Sequence, residues 1–527
     1  MGVITQYEKD IGGLNNTLIE KVGTNELDTT AQDISDAVNE IKNELDNTDI
    51  ASESYVESTV DASVAADIFS DIADAIRSKS GTSSSINPSQ MASAIMNLPS
   101  GTSDENCILF EQYMASDITS YTGNEELILN KGFYSCSSLS TVSFSECISI
   151  DAEAFYECTS LTTISFPKCS FIGNNVFENC SLLESAIFPK CSYINGQAFY
   201  NCTSLSNISF PKCEYIGEGA FQDCSGLTEI NFPECDYIDK YAFRDCTSLS
   251  IISFPKCSYI EGGGFYSCSF LESALFPECT HIGWNAFQYC TSLTTALFPK
   301  CSSISFYTFS GCTSLSNISF PECTYIGWSA FANCSALTTA LFPKCSYINN
   351  YAFYSCTSLS NISFPECTLI SSYTFCNCIS LSSVYFPKCE GLGSSAFRDC
   401  SSLITASFSR CVYINQYTFR NCILLSDISF PECKRIWSSA FYGCTSLTTA
   451  SFPACERIAQ SAFQNCTLLS SLYLLGSTVP SLDNANAFNN TPLSAGGTGK
   501  IYVPSSLYNT YKTTTNWSII SARIVSM

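Results

Sequence analysis

Thr159–Cys180 reads TSLTTISFPKCSFIGNNVFENC, and this stretch recurs with small changes about sixteen times between residues 128 and 475. The period is 22 residues and hardly slips. Cys136, Cys158, Cys180 and Cys202 open one column that runs in steps of 22 to Cys466, and Cys147, Cys169, Cys191 and Cys213 open a second that runs to Cys455. Phe, Leu and Ile columns keep the same register. A fixed period of this size means a stack of identical units, none of which can bury its apolar face alone.

Within one unit the pattern is Leu161-x-x-Ile164-x-Phe166-x-x-Cys169-x-x-Ile172. This is the leucine-rich-repeat pattern. Ile164 and Phe166 alternate with Thr163 and Ser165, which predicts a strand with one buried face. Pro167 cannot donate to a ladder and marks the turn that follows. Ala198-Phe199 and their equivalents supply the core on the opposite side of each coil, and neighbouring coils should stack at about 4.8 Å. The fold class expected is a β-rich leucine-rich-repeat solenoid of about sixteen 22-residue coils, with an N-terminal α-helical attachment region and a small α+β C-terminal cap.

The phrase A-F-x-x-C-T-S-L-T-x-I-x-F-P, as in Ala242–Pro255, resembles the BspA-type leucine-rich repeats of bacterial surface and bacteriophage proteins. The resemblance covers about two thirds of the chain. It implies the solenoid and a binding role, without naming what is bound.

Composition narrows the function classes. The chain carries a formal charge of −24, and residues 1–105 hold 19 acidic and 5 basic side chains. Such a field repels nucleic acid and anionic membrane, so neither is an expected partner. The opening MGVITQYEKDIGG has no apolar h-region of a signal peptide, and no apolar run is long enough to span a bilayer. Of 33 cysteines, 31 fall in the two columns, leaving Cys107 and Cys376. They read as small buried hydrophobes whose S–H lies beside loop backbone, kept reduced in the cytoplasm where the chain folds. The single histidine, His281, would have to serve any Ser-His-Asp or Cys-His site, yet it stands where most repeats have Tyr. Thiols 11 residues apart are poor zinc spacing, and no phosphate loop is present. Neither an enzyme, a cofactor nor a metal is expected.

Four segments follow in order. Residues 1–62 are a helical N-terminal region in which Leu27, Ala31, Ile34, Val38, Ile41 and Leu45 make a narrow coiled-coil seam. Residues 63–104 are a two-helix connector. Its phrase IADAIRSKSGTSSSINPSQMASAI resembles a short module of bacteriophage tail and other virion proteins, which implies docking to virion proteins through residues 1–100. Residues 105–475 are the solenoid. Residues 476–527 form the C-terminal cap, with IYVPSSLYNTYKTTTNWSIISARIVSM reading as strand, helix (505–516), strand.

The residues before the second-column cysteines run Lys212, Glu234, Lys256, Glu278, Lys300, Glu322 and onward. Stacked one coil apart, each charge should have opposite charges on both sides. The segment between the Ile column and the Ala-Phe pair varies most. There Trp284, Phe306 and Trp328 occupy one position in three successive coils, flanked by His281, Tyr307 and Tyr325. These six are the candidate receptor-binding residues, either a strip on which sugar rings or a protein loop sits or a ladder packing on itself. The expectation is a bacteriophage tail fibre or other virion protein, assembled in the host cytoplasm, that recognises a host-surface glycan or protein. The alternatives are a BspA-type adhesin on a bacterial surface binding host matrix protein, and a passive virion spacer.

If residues 27–45 form a coiled coil, the full chain is a homo-oligomer, such as a trimer, and a chain beginning at Asp104 is a monomer. Light scattering that returns equal subunit counts for the two rules this stretch out as the oligomerising element.

Overall fold

Two short strands per repeat, not one, carry the backbone from coil to coil. The computed structural model describes residues 118–527. The expected helices of residues 1–62 and 63–104, with the coiled-coil seam and the virion-type module, lie outside the described residues. Two compact units divide after Pro189.

In the first unit, Ser120–Gly123 pairs in parallel with Thr141–Phe144, which pairs with Thr163–Ser165, which pairs with Ser185–Ile187. A second ladder joins Leu127–Ile128, Ser149–Ile150 and Phe171–Ile172. The first coil is atypical. Tyr121 covers the end of the aromatic core, its ring 5.1 Å from Phe133 and 5.2 Å from Phe144.

In the second unit, fourteen two-residue strands from Tyr193–Ile194 to Ser481–Leu482 form an unbroken parallel ladder in register. The Thr163–Ser165-type strand is three residues long, and its ladder is interrupted. Gaps follow Ser209, Ser253, Ser319 and Ser363. At each gap the inward isoleucine of the preceding coil, Ile208, Ile252, Ile318 or Ile362, is only half-buried. The continuous element of this unit is therefore the short Tyr-Ile strand, although the longer strand has the more regular sequence pattern.

Two phenylalanine columns fill each coil. Phe199 stacks on Phe221 at 5.0 Å with parallel planes, and Phe210 stacks on Phe232 at 5.8 Å. Across the coil, Phe199 and Phe210 meet edge to face at 5.8 Å and 73°. This gives every ring both favoured aromatic geometries. The columns end at Phe488, which lies over Phe463 at 5.8 Å. Beyond it, Lys500–Val503 pairs with Ser471–Tyr473 and Ile524–Ser526 pairs with Lys500–Val503, so the longer-strand ladder runs into the C-terminal segment. The helix Tyr508–Thr513 closes the end. Asn516 donates its side-chain amide to Leu482 O at 2.7 Å, and the indole of Trp517 donates to Pro480 O at 2.7 Å. These side chains replace the donors that a further coil would offer.

All 32 cysteines among the described residues are buried thiols outside any disulfide. First-column thiols donate to the preceding coil, as Cys224 Sγ does to Phe199 O at 3.0 Å and Cys312 Sγ to Phe287 O at 3.0 Å. Second-column thiols donate two residues ahead, as Cys301 Sγ does to Ser303 O at 3.0 Å. The charge ladder differs from its expected form. From Lys256 to Lys388 each lysine pairs with the glutamate of the coil before it, as in Lys256–Glu234 at 2.5 Å and Lys388–Glu366 at 2.6 Å. Lys168–Glu146, Lys300–Glu278 and Lys344–Glu322 do the same. A lysine has one ammonium group and commits it to one side, so the ladder resolves into separate pairs. All are exposed, so each contributes little to stability.

Burial pushes several of the thiols above the ordinary 9.0, Cys301 up to about 11 and Cys191, Cys257 and Cys345 up to about 12. The fold therefore holds these protons more tightly than the unfolded chain does. Their contribution to stability is complete below the unfolded value of 9.0 and is lost as pH rises through the folded values of about 11–12. Stability should be flat to about pH 8.5 and then collapse, since many thiols act together. Thiolate absorbance should rise together with loss of circular dichroism. Thiolates that form while the spectrum stays native would contradict this.

Candidate functional site

The variable segment is a three-residue turn after each short strand, and its third residue has left-handed backbone. That residue is Tyr241, Gly263, Asn285, Tyr307, Ser329, Tyr351, Tyr373, Ser395, Tyr417, Ser439 and Ser461 in successive coils. Gly and Asn suit such a position, whereas another residue with a Cβ pays about 1–2 kcal/mol there. Five tyrosines at it are accordingly strained choices that the fold itself does not require.

Close coil contact sets where the tryptophans lie. A Cβ on Gly283 would fall 2.4 Å from the nitrogen of Gly262, and one on Gly327 would fall 2.6 Å from the Ser305 carbonyl carbon. Only glycine allows this approach, and in each case the next residue is a tryptophan. Gly262-Gly263 also leave a notch one coil wide. Tyr241 leans over it from one side and Trp284 from the other, and the rings meet edge to face at 5.5 Å and 78°.

From Trp284 the rings continue. Phe306 stacks on Trp284 at 6.1 Å with planes 5° apart. Tyr307 stands edge-on to Phe306 at 6.3 Å and lies 5.6 Å from Trp328. Trp328 reaches Tyr351 at 6.5 Å, and Tyr351 stacks on Tyr373 at 4.7 Å. Phe306 and Trp328 are each 46% exposed, while Trp284 is half-buried by the notch and by Phe306. Trp284 and Phe306 stack directly, and Tyr307 carries the contact on to Trp328.

His281 and Tyr325 lie on a separate ladder, one strand away. Tyr193, Tyr215, Tyr237, Tyr259 and His281 stack in sequence, ending with Tyr259–His281 at 4.0 Å and 9°. Ser303 interrupts this ladder, and it restarts with Tyr325 on Tyr347 at 5.6 Å. Burial holds the His281 imidazole below its usual range, against the opposing pull of Glu261, so it stands in neutral form as a flat ring in a tyrosine column. The ladder's hydroxyls are tied down by the next coil: Tyr215 donates to Asp239 at 2.7 Å and Tyr237 to Glu261 at 3.1 Å. Of the six candidate residues, the structure brings together Trp284, Phe306, Tyr307 and Trp328.

Sequence reasoning missed Tyr241, Tyr351, Tyr373 and Tyr417. The signal was there, since all share the column position of Tyr307, but the penalty of that position shows only in the backbone. A second missed signal is charge. In nine successive coils, from Gly283-Trp284-Asn285 to Ala459-Gln460-Ser461, this turn contains no charged residue. Earlier coils carry Asp239-Lys240 and Glu261 there. Among the described residues, no group of His, Cys, Asp and Glu could hold a metal ion, and no helix is long and apolar enough to cross a membrane.

The chain matches the family described as "BspA type Leucine rich repeat region (6 copies)" over residues 126–247, 170–294, 280–404 and 390–513. Similar solved structures include a leucine-rich repeat protein of Bacteroides ovatus, 24% identical, covering 72% of this chain and 88% of that one with a TM-score of 0.47. A leucine-rich cell surface protein of Faecalibacterium prausnitzii is 24% identical over 69% of this chain and 90% of that one, with a TM-score of 0.31. A leucine-rich repeat protein of Eubacterium ventriosum is 20% identical over 63% and 85%, with a TM-score of 0.30. No curated protein matches the chain. With its 22-residue period, parallel in-register strands and family match across most of its length, the chain belongs to the BspA-type leucine-rich repeat family.

Proposed function

We propose that this protein is a non-enzymatic attachment protein of a bacteriophage tail or virion, which recognises a host-surface protein through the aromatic face running from Tyr241 to Tyr417, whose turns are uncharged from Trp284 on. The observation that carries the reading is the set of left-handed tyrosines. Each costs the fold free energy where Asn or Gly would serve, and such strain is retained where it has a use. Composition points the same way. Apart from Phe306, Ala459, Gln416 and Gln460, the nine uncharged turns draw on Tyr, Trp, Ser, Asn and Gly, the mixture that antibody loops use to bind proteins. Of the six ring contacts from Tyr241 to Tyr373, only Trp284–Phe306 and Tyr351–Tyr373 stack and the other four are edge-on or tilted, so the face is corrugated rather than a flat platform. That disfavours a sugar ring lying flat on them and favours packing against a protein surface. The virion setting rests on the resemblance of residues 72–95 to a tail module. A bacterial-surface adhesin would use the same face, and mass spectrometry of purified virions separates the two settings.

Replacing both Trp284 and Trp328 by Ala should weaken adsorption of the labelled protein to receptor-bearing cells about tenfold or more, as aromatic hot spots typically do. The protein should remain folded. Unchanged adsorption by the folded variant would make the strip a packing ladder alone.

Tyr351→Asn and Tyr373→Asn offer a sharper test, because asparagine keeps the left-handed backbone. Relief of strain, about 1–2 kcal/mol each, offsets the loss of stacking, about 0.5–1.5 kcal/mol. Thermal stability should therefore hold or rise while adsorption falls. A marked drop in stability would instead assign these rings to the core.

A further inference from the structure

One turn of the coil is built three times around an arginine, and one of the three is left incomplete. Arg244, Arg398 and Arg420 each precede a second left-handed residue, which is Asp245, Asp399 or Asn421. In the first two, the adjacent carboxylate accepts from the arginine Nε at 3.0 Å. After Arg420 the neighbour is Asn421, whose amide instead donates to Asp399 Oδ1 at 2.9 Å. Asp399 is thus shared between Arg398 and Asn421, and Arg420 has no ion pair among the described residues. Its guanidinium lies between two rings, 5.4 Å from Tyr417 and 5.0 Å from Tyr442. Its Nε is buried with no hydrogen-bond partner. Arg244 sits in the same kind of clamp, 5.4 Å from Tyr241 and 5.3 Å from Tyr266, but with its charge already answered by Asp245.

We infer that the Tyr417–Arg420–Tyr442 clamp binds a carboxylate, supplied by an acidic side chain of a partner protein. This rests on the reading of the aromatic face as a recognition surface, since Tyr417 belongs to both. A guanidinium is a planar fork that matches a carboxylate through two parallel N–H donors. The two rings hold the fork in place through cation–π attraction and leave no internal anion to compete. In the other two arginine turns the chain supplies that carboxylate itself at Nε; the Arg420 Nε is buried, so an incoming carboxylate meets the two terminal Nη groups of the fork. The turn that contains Tyr417 carries no charge, so an incoming acid meets no like charge there. Both ring faces toward the guanidinium are occupied, so an acidic sugar would gain only its carboxylate contact and no stacking. Tyr and Arg together are also the side chains that most often anchor protein interfaces.

The test uses the full chain labelled with nitrogen-15 in its eight arginines, following the side-chain Nε–H signals. N-Acetylaspartate is the probe, with glucuronate as a second. Arg420 should shift saturably, whereas Arg244 and Arg398 should not. Asn421→Asp supplies an internal carboxylate and should abolish the response, and Asp245→Asn should confer one on Arg244. Both substitutions keep a residue type already present at that backbone position, so loss of fold does not confuse the result. An unresponsive Arg420, or equal unsaturating drift of all arginines, would overturn the site. Glucuronate saturating at about tenfold lower concentration than N-acetylaspartate would overturn the assignment to a protein partner. An unresponsive Arg420 alongside adsorption that still depends on Trp284 and Trp328 would remove the clamp and leave the face.

Discussion

Parallel pairing of each short strand with the residues 22 positions on is the constraint from which the rest of each unit follows. It places like over like: Ile on Ile, Phe on Phe, thiol beside thiol. A side chain in this fold is selected for its fit to a copy of itself about 4.8 Å away as much as for its fit to a cavity. Phenylalanine meets that demand by stacking within its column and turning edge-on to the other, as Phe199, Phe210 and Phe221 show. Cysteine meets it by being small and by giving its weak donor to a turn carbonyl that the backbone pairing leaves available. Charge meets it worst, which is why the exposed column alternates in sign and resolves into local pairs.

The same constraint explains what the sequence could reveal. Period, columns, buried face and terminal closure all follow from repetition and were legible, because repetition is itself visible in the letters. The short Tyr-Ile strand was harder to recognise as the continuous ladder. A two-residue strand has no alternation to display, while Leu161–Phe166 has a clear one. The aromatic strip was legible only in part. Trp284, Phe306 and Trp328 stand out by size, but that Tyr307 bridges Phe306 to Trp328 depends on where a left-handed residue aims its ring. That Tyr241 and Trp284 meet across an intervening coil depends on a pair of glycines whose role is to be absent. Neither fact is a matter of residue type at a spacing.

Arg420 shows a related limit. In the letters, Arg-Asn at 420–421 differs from Arg-Asp at 398–399 by one amide. In space, that amide turns away to Asp399, and a guanidinium is left held by two rings without an anion. A repeat protein spends its common positions on stacking, so its individuality lies in such small departures from the consensus. They become readable once the consensus version of the same turn, here Arg244 with Asp245, lies alongside for comparison.

In-register stacking also makes the coil a unit of inheritance. Residues 22 apart occupy equivalent places in the second unit, so removing one whole coil there restores every class of contact at the new junction. The surface, however, does not come back unchanged. Loss of residues 295–316 would bring Trp328 into the place over Trp284 that Phe306 now fills, and would delete Tyr307, the bridge between them. Exchange between near-identical repeats can therefore re-cut the aromatic face in one step while the core registers no difference. A protein built this way can vary what it recognises faster than it varies how it folds.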